Sequence, residues 1–257
     1  MLAARLHVGD DAMNQRMLAV EIAVQDAQGV RIALAEDADR VELCSALGVG
    51  GLTASAGTIE AVIDAARSAA RPGYVHVLIR PRPGGFVYSA DELDVMLREI
   101  RFVRDAGAGG VVIGALDDGG AVDLEITRAL ADAAGPLDVT FHRAADVAAD
   151  PLATVDVLAD LGIRRVLTSG QAARSIDGLP TLAAMVERAA GRIQVMAGGG
   201  VTVPDIDTLA ASGVDAVHLS ARRVVTGSAS GPGGGDVAYD ATDAAVVRAA
   251  VAAARGR

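Results

Sequence analysis

Two arginine runs, Arg80-Pro81-Arg82 and Phe141-His142-Arg143, carry planar guanidinium forks that suit carboxylate or phosphate groups. The run Met196-Ala197-Gly198-Gly199-Gly200-Val201 has a different use, because Gly199 and Gly200 let main-chain N–H groups approach an anion closely. Ser220-Ala221-Arg222-Arg223 adds a hydroxyl and two more cations. Glu21, Glu42 and His142 are the candidate general acids and bases, provided that burial or neighbouring charge tunes them. Cys44 and Met196 supply sulfur, which together with imidazole from His142 or His218 favours Cu(I) over hard cations. No serine or cysteine occupies a nucleophile-elbow motif, and no Cys-x-x-Cys or repeated methionine motif occurs.

These residues recur at the ends of short β-rich runs, which alternate with longer alanine-rich runs of helical period. The pattern predicts eight strands over 18–24, 40–44, 75–80, 110–115, 138–143, 164–168, 193–198 and 215–220. It predicts helices near 26–37, 57–70, 90–106, 122–134, 150–161, 175–190, 203–212 and 240–255. Pro151 and Pro204 suit helix starts, and Gly107, Gly162 and Gly213 suit left-handed caps at helix ends. Eight βα units in 257 residues predict an α/β fold, a single-domain (β/α)8 TIM-type barrel over 17–257, which typically needs about 250 residues. The rival is an open doubly wound sheet, but Gln25-Asp26-Ala27-Gln28-Gly29 after the first strand is no dinucleotide-binding turn. Residues 1–16 are polar and irregular, either an N-terminal arm or an over-called start. The stretch 227–235 is rich in glycine and serine and predicts either a mobile loop on the working face or a spacer.

Strand alternation sorts the side chains. Val20, Ile22, Val24, Val41, Leu43, Val75, Val77, Ile79, Val139, Phe141, Val217 and Leu219 share the parity expected to face the helices. The opposite parity carries Glu21, Glu42, Cys44, His76, Arg80, Thr140, His142, Met196, His218 and Ser220, which in a barrel point at the axis. Barrel interiors are usually filled by branched aliphatics, and buried charge without partners is costly. The polar ring is therefore either a ligand site or a set of mutually satisfied ion pairs, with Arg80 and Arg143 paired to Glu21 and Glu42.

Composition narrows the function classes. The chain is 51% hydrophobic, so it can bury a large aliphatic core, and its formal charge of −10 argues against non-specific nucleic-acid binding. A single cysteine excludes an intrachain disulfide framework and suits a reducing compartment. No apolar run reaches membrane-span length and no signal-peptide order opens the chain, so the cytoplasm is expected and no membrane partner is.

Taken together, the runs Asp39-Arg40-Val41-Glu42-Leu43-Cys44, Gly50-Gly51-Leu52-Thr53, Ile79-Arg80-Pro81-Arg82, Val139-Thr140-Phe141-His142-Arg143-Ala144, Arg165-Val166-Leu167-Thr168-Ser169-Gly170 and Val195-Met196 through Val201 resemble the CutC family of copper homeostasis proteins. The likeness spans about residues 18 to 223. It implies a TIM-type barrel, a cytoplasmic location, a homo-oligomer (dimer or tetramer) and a role in copper handling, and it brings Ser169 among the ligand contacts. Two departures stand out. Members commonly carry cysteine just after the first-strand glutamate, where this chain has Ile22. Their arginine loop usually ends in aspartate, where this chain reads Arg80-Pro81-Arg82-Pro83-Gly84-Gly85. Two functions compete, beside a third, a non-catalytic barrel acting through its oligomer surface, which the polar inner ring disfavours. One is copper homeostasis, with Cu(I) on Cys44, Met196 and a histidine. The other is an enzyme on a small phosphorylated or carboxylated metabolite, held by Arg80, Arg82, Arg143, Ser169, Gly199, Gly200, His218 and Ser220, with Glu21, Glu42 and His142 moving protons.

Overall fold

In a computed structural model, described over residues 17–227 and 238–256, the eight predicted strands close into one parallel ring. They are β1 (Ala19–Val24), β2 (Arg40–Leu43), β3 (Val75–Leu78), β4 (Gly110–Ile113), β5 (Asp138–Phe141), β6 (Arg165–Thr168), β7 (Gln194–Gly198) and β8 (Ala216–Leu219). Closure is set by β1, which pairs with β2 on one side (Glu21 beside Arg40) and β8 on the other (Glu21 beside His218). An open sheet would leave β1 or β8 with a free edge; none exists in this ring.

Helices α1 (Ala27–Ala35), α2 (Ala56–Ser68), α3 (Ala90–Ala106), α4 (Leu124–Ala134), α5 (Pro151–Asp160), α6 (Leu179–Ala189), α7 (Ile206–Ala211) and α8 (Ala244–Arg255) surround it. Local chemistry sets their ends. Ser89 and Glu92 form a reciprocal capping box at α3, and Gly107 closes that helix in the left-handed region at φ 94°. Asp150 caps α5 by accepting from the N–H groups of Leu152 and Ala153, with Pro151 in the first turn. The outward parity of the strands packs with the helices into one continuous aliphatic core. The inward parity forms a separate axis that includes Glu21, Glu42, His76, Thr140 and Arg165, all buried.

Three expectations need correction. The segments 175–190 and 203–212 open as 3-10 turns (Ser175–Gly178 and Val203–Asp205), so their α-helices start only at Leu179 and Ile206. The helix expected from 240 begins at Ala244, because 238–242 is a strand. Strands β9 (Arg222–Thr226) and β10 (Ala238–Thr242) form an antiparallel hairpin beyond β8, tied by an ion pair of 2.5 Å between Arg222 and Asp240. Asp243 then caps α8. Residues 1–16, and the glycine-rich stretch from 228 onward, lie outside the described residues. No helix among the described residues is long and apolar enough to cross a membrane.

Candidate active site

The carboxyl ends of the strands enclose a cavity of about 300 Å³, at the lower end of the size that holds small metabolites. Glu42 and Cys44 from β2 and the loop after it, Arg80 after β3, and His142 and Arg143 after β5 border it. Gly199, Gly200 and Val201 after β7, and His218, Ser220 and Arg222 at and beyond β8, complete its polar rim. Leu47, Leu78, Phe86, Leu167 and Leu219 supply apolar wall.

On the β1–β2–β8 side a chain of charge leads into the cavity. The Arg40 guanidinium ion-pairs with Glu21, which is fully buried. His218 Nδ1 donates to the other oxygen, Glu21 Oε1, at 2.8 Å, and His218 Nε2 lies 3.5 Å from Glu42 Oε2. Strand register makes the chain possible, since it seats Arg40 and His218 on either side of Glu21. Burial opposes charge on Glu21, but Arg40 and His218 outweigh it and hold the carboxyl well below the usual range. Burial likewise opposes charge on His218, yet Glu42 and Glu21 raise its pKa. Glu42 behaves oppositely: burial, aided by the nearby Glu21 charge, pushes its carboxyl up to about 7 against the pull of His218 and Arg40. A carboxyl tuned near neutrality at a cavity wall can give or take a proton.

The β5–β8 side gathers main-chain donors and a guanidinium. Gly199 and Gly200 sit at φ 125° and 61°, and the N–H groups of Gly200 and Val201 meet no protein acceptor among the described residues. Arg143 donates to Asp146 Oδ2 at 2.7 Å and Ser169 Oγ at 3.2 Å, which lays its guanidinium against Gly199, where a Cβ would come within 3.0 Å of Cζ. Successive unpaired N–H groups beside a fixed guanidinium are donors of the kind that can receive an anion.

The structure brings Glu42, Arg80, His142, Arg143, Gly199, Gly200, His218 and Ser220 together at the cavity, and Cys44 with them. Other expected members stand elsewhere. Glu21 lies behind His218, off the cavity wall, so it positions rather than reacts. Ser169 is buried, donates to the Ala172 carbonyl at 2.6 Å, and supports Arg143. Arg82 turns away to Glu92 at the head of α3, with Tyr88 beneath its guanidinium. Neither Arg80 nor Arg143 pairs with Glu21 or Glu42; Arg80 instead donates to the carbonyls of Val49, Gly51 and Gly84.

The two sulfur residues expected to bind copper, Cys44 and Met196, stand in separate side-chain clusters. Met196 Sδ accepts from Arg40 Nη2 at 3.4 Å and packs with Leu167 and Ala216, whereas Cys44 packs with Leu78 and Val112. Burial, followed by the Glu42 charge, pushes the Cys44 thiol well up, away from the thiolate that binds metal. Among the described residues no three His, Cys, Asp or Glu side chains converge as a metal site. The residues present do not fit a shared copper centre. Arg40 and Asp146 join the site without having been singled out from the sequence, whereas Arg222 comes from the run that the sequence did mark. Arg40 shares the inward parity of Glu42, two residues on, and that spacing was the available signal.

A CutC family model matches residues 18–223. The family protein CutC of Xanthomonas axonopodis pv. citri is 43% identical over 238 residues, covering 90% of this chain and 96% of that protein. That of Xylella fastidiosa (strain 9a5c) is 42% identical over 236 residues, covering 89% of this chain and 86% of its own. Among solved structures, Streptococcus agalactiae CutC, described as a candidate copper homeostasis protein, is 32% identical with a TM-score of 0.74 over 79% of this chain and 99% of that one. Deoxyribose phosphate aldolase from Aeropyrum pernix, at 19% identity and a TM-score of 0.60, shares the fold alone.

Proposed function

Since it matches that family model over most of its length, with relatives above 40% identity, the chain belongs to the CutC family, and we propose that its barrel is an enzyme. It binds a small phosphorylated or carboxylated metabolite and moves a proton through Glu42. One observation carries this reading: the Arg40–Glu21–His218 chain ends on Glu42 at a cavity whose other rim is a glycine nest, the unpaired Gly200 and Val201 N–H groups beside Arg143. Arg40 and Glu21 fix His218, and His218 holds Glu42 in place beside the occupant. Phosphate or carboxylate settles on the free N–H groups and Arg143 and so fixes the distance to Glu42.

All 23 basic residues are arginine. No lysine imine can form, so the proposed proton transfer does not run through one.

A thermal-shift panel of sugar phosphates, phosphorylated acids and inorganic phosphate tests the reading. Wild type and Glu42→Gln should both be stabilised by the same compounds, while Glu42→Gln turns over about 100- to 10,000-fold more slowly, the usual worth of a general acid or base. Turnover should rise with pH through a midpoint near 7, because only the ionised Glu42 accepts a proton. No stabilisation by any member of the panel would sink the proposal. So would stoichiometric Cu(I) binding abolished by Cys44→Ala, which would restore the copper role given in the description of the Streptococcus agalactiae protein.

A further inference from the structure

His142 holds a proton on a known nitrogen. The Ala144 N–H donates to His142 Nδ1 at 3.1 Å, so Nδ1 presents its lone pair. Burial, reinforced by the positive charge of Arg80, lowers the imidazole to about 3, so the ring is neutral and its one hydrogen sits on Nε2. Nε2 is buried and has no acceptor among the described residues, although the ring, only 5% exposed, borders the cavity. The ring is also seated with care. It packs at 4.9 Å on Phe86 and fills the space over Gly114, where a Cβ would fall 2.4 Å from two ring atoms.

Arg80 is the second unmatched group. Three of its five N–H groups serve the carbonyls of Val49, Gly51 and Gly84, Nε has no partner, and no carboxylate pairs with it among the described residues. A neutral N–H donor next to an unbalanced buried cation is a site for negative charge that develops on oxygen. His142, after β5, stands three strands round the ring from Glu42 on β2, Arg80 follows β3 between them, and all three border the same small cavity.

We propose that this barrel removes a proton from the carbon next to a carbonyl, with Glu42 as base and the His142 Nε2–H, backed by Arg80, holding the oxygen. The C–H bond breaks and its proton passes to the Glu42 carboxylate. The bonding pair becomes the new C=C bond, and the carbonyl π pair moves to oxygen as an enolate. The proton returns to the same carbon, or to its neighbour after the oxygens exchange a proton, so the reaction is an epimerisation or isomerisation with no net oxidation. The substrate class is therefore a small ketone or aldehyde that carries a phosphate or carboxylate for the glycine nest. This rests on the metabolite-enzyme reading above and adds the reaction to it.

The test is hydrogen exchange in D2O. Full-length protein is incubated with dihydroxyacetone phosphate, ribulose 5-phosphate and pyruvate as probes, and loss of the C–H signal is followed by proton NMR, with thermal shifts read in parallel. Wild type should exchange at least one probe that stabilises it. His142→Ala should lose roughly 100- to 1,000-fold in exchange with its stabilisation by the probe kept, and His142→Gln, whose amide N–H can reach the same oxygen, should recover part of it. Probes that stabilise the protein yet never exchange would overturn the inference and leave the metabolite-enzyme reading standing. Exchange unchanged in folded His142→Ala would overturn the role of His142. Absence of both stabilisation and exchange would overturn both readings.

Discussion

His218 lies between two carboxyls of opposite tuning, and Glu21 decides the outcome. Glu21 accepts from His218 Nδ1 and from Arg40, and so separates a guanidinium from an imidazolium that would otherwise repel each other. Burial alone would strip His218 of its proton; Glu42 and Glu21 reverse that against the opposing push of Arg40. In Glu21→Gln the imidazole loses a charged partner while Arg40 stays close, and both changes act in one direction. The His218 pKa should fall, read from its ring-proton shifts by NMR, and the Glu42 carboxyl loses part of its cationic neighbour. An unmoved His218 titration would show that Glu21 is a bystander. Strand parity alone exposes Glu21, Glu42 and His218 as inward. Their order in the chain is not legible that way, because it depends on which residues stand side by side in β8, β1 and β2, and lateral register is set by closure of the whole ring.

At the level of elements, the strands were legible because their period of two survives in every βα unit, and the loops were not. Arg80 and Arg82 share a parity in the sequence, yet β3 ends at Leu78, so parity no longer governs them and Arg82 turns to α3. The β9–β10 hairpin was missed because Ala238–Thr242 has no apolar alternation of its own and abuts a strong helix former; its pairing comes from a segment across the glycine-rich stretch. The loop after β7 invites a direct test. At Gly199 a side chain suffers twice, from φ 125° and from a Cβ within 3.0 Å of both Arg143 Cζ and Ser169 Cβ. Gly162 offers the control, with φ 73° and nothing within 4 Å of an added Cβ. Gly162→Ala should cost about 1 kcal/mol of backbone strain and leave phosphate binding intact. Gly199→Ala should cost about 1–3 kcal/mol and weaken phosphate binding, because Arg143 must yield. Urea unfolding and phosphate-dependent thermal shifts separate the two, and equal phosphate binding in both variants would remove the glycine nest from the site.

Across the whole molecule, a polar axis inside an aliphatic barrel makes stability a function of pH from both sides. Glu42 and His218 have raised folded values, so the stability they contribute is present at low pH and is lost as pH rises through those values. Glu21 is lowered, so its contribution is lost as pH falls. His76 and His142 belong to the acid side too. Burial lowers them to about 4 and about 3, and between there and 6.5 the unfolded chain takes up protons that the folded barrel refuses. His76 isolates this effect, because it is buried below the cavity with Nδ1 unpartnered and touches no proposed chemistry. Burial dominates there; Glu21 and Asp138 favour the proton, and Arg40 and Arg165 oppose it. In His76→Gln the titrating ring is gone while the other groups of the axis stay, so their contributions largely cancel when the variant is compared with wild type. Wild type should therefore gain on the variant by up to about 1.4 kcal/mol per pH unit as pH rises from 4.5 to 6.5, measured by urea unfolding at each pH. Above pH 7 the gap should be flat. A gap that does not change below pH 6.5 would mean that the barrel admits the proton at His76, and that its interior is far better solvated than the burial of this ring implies.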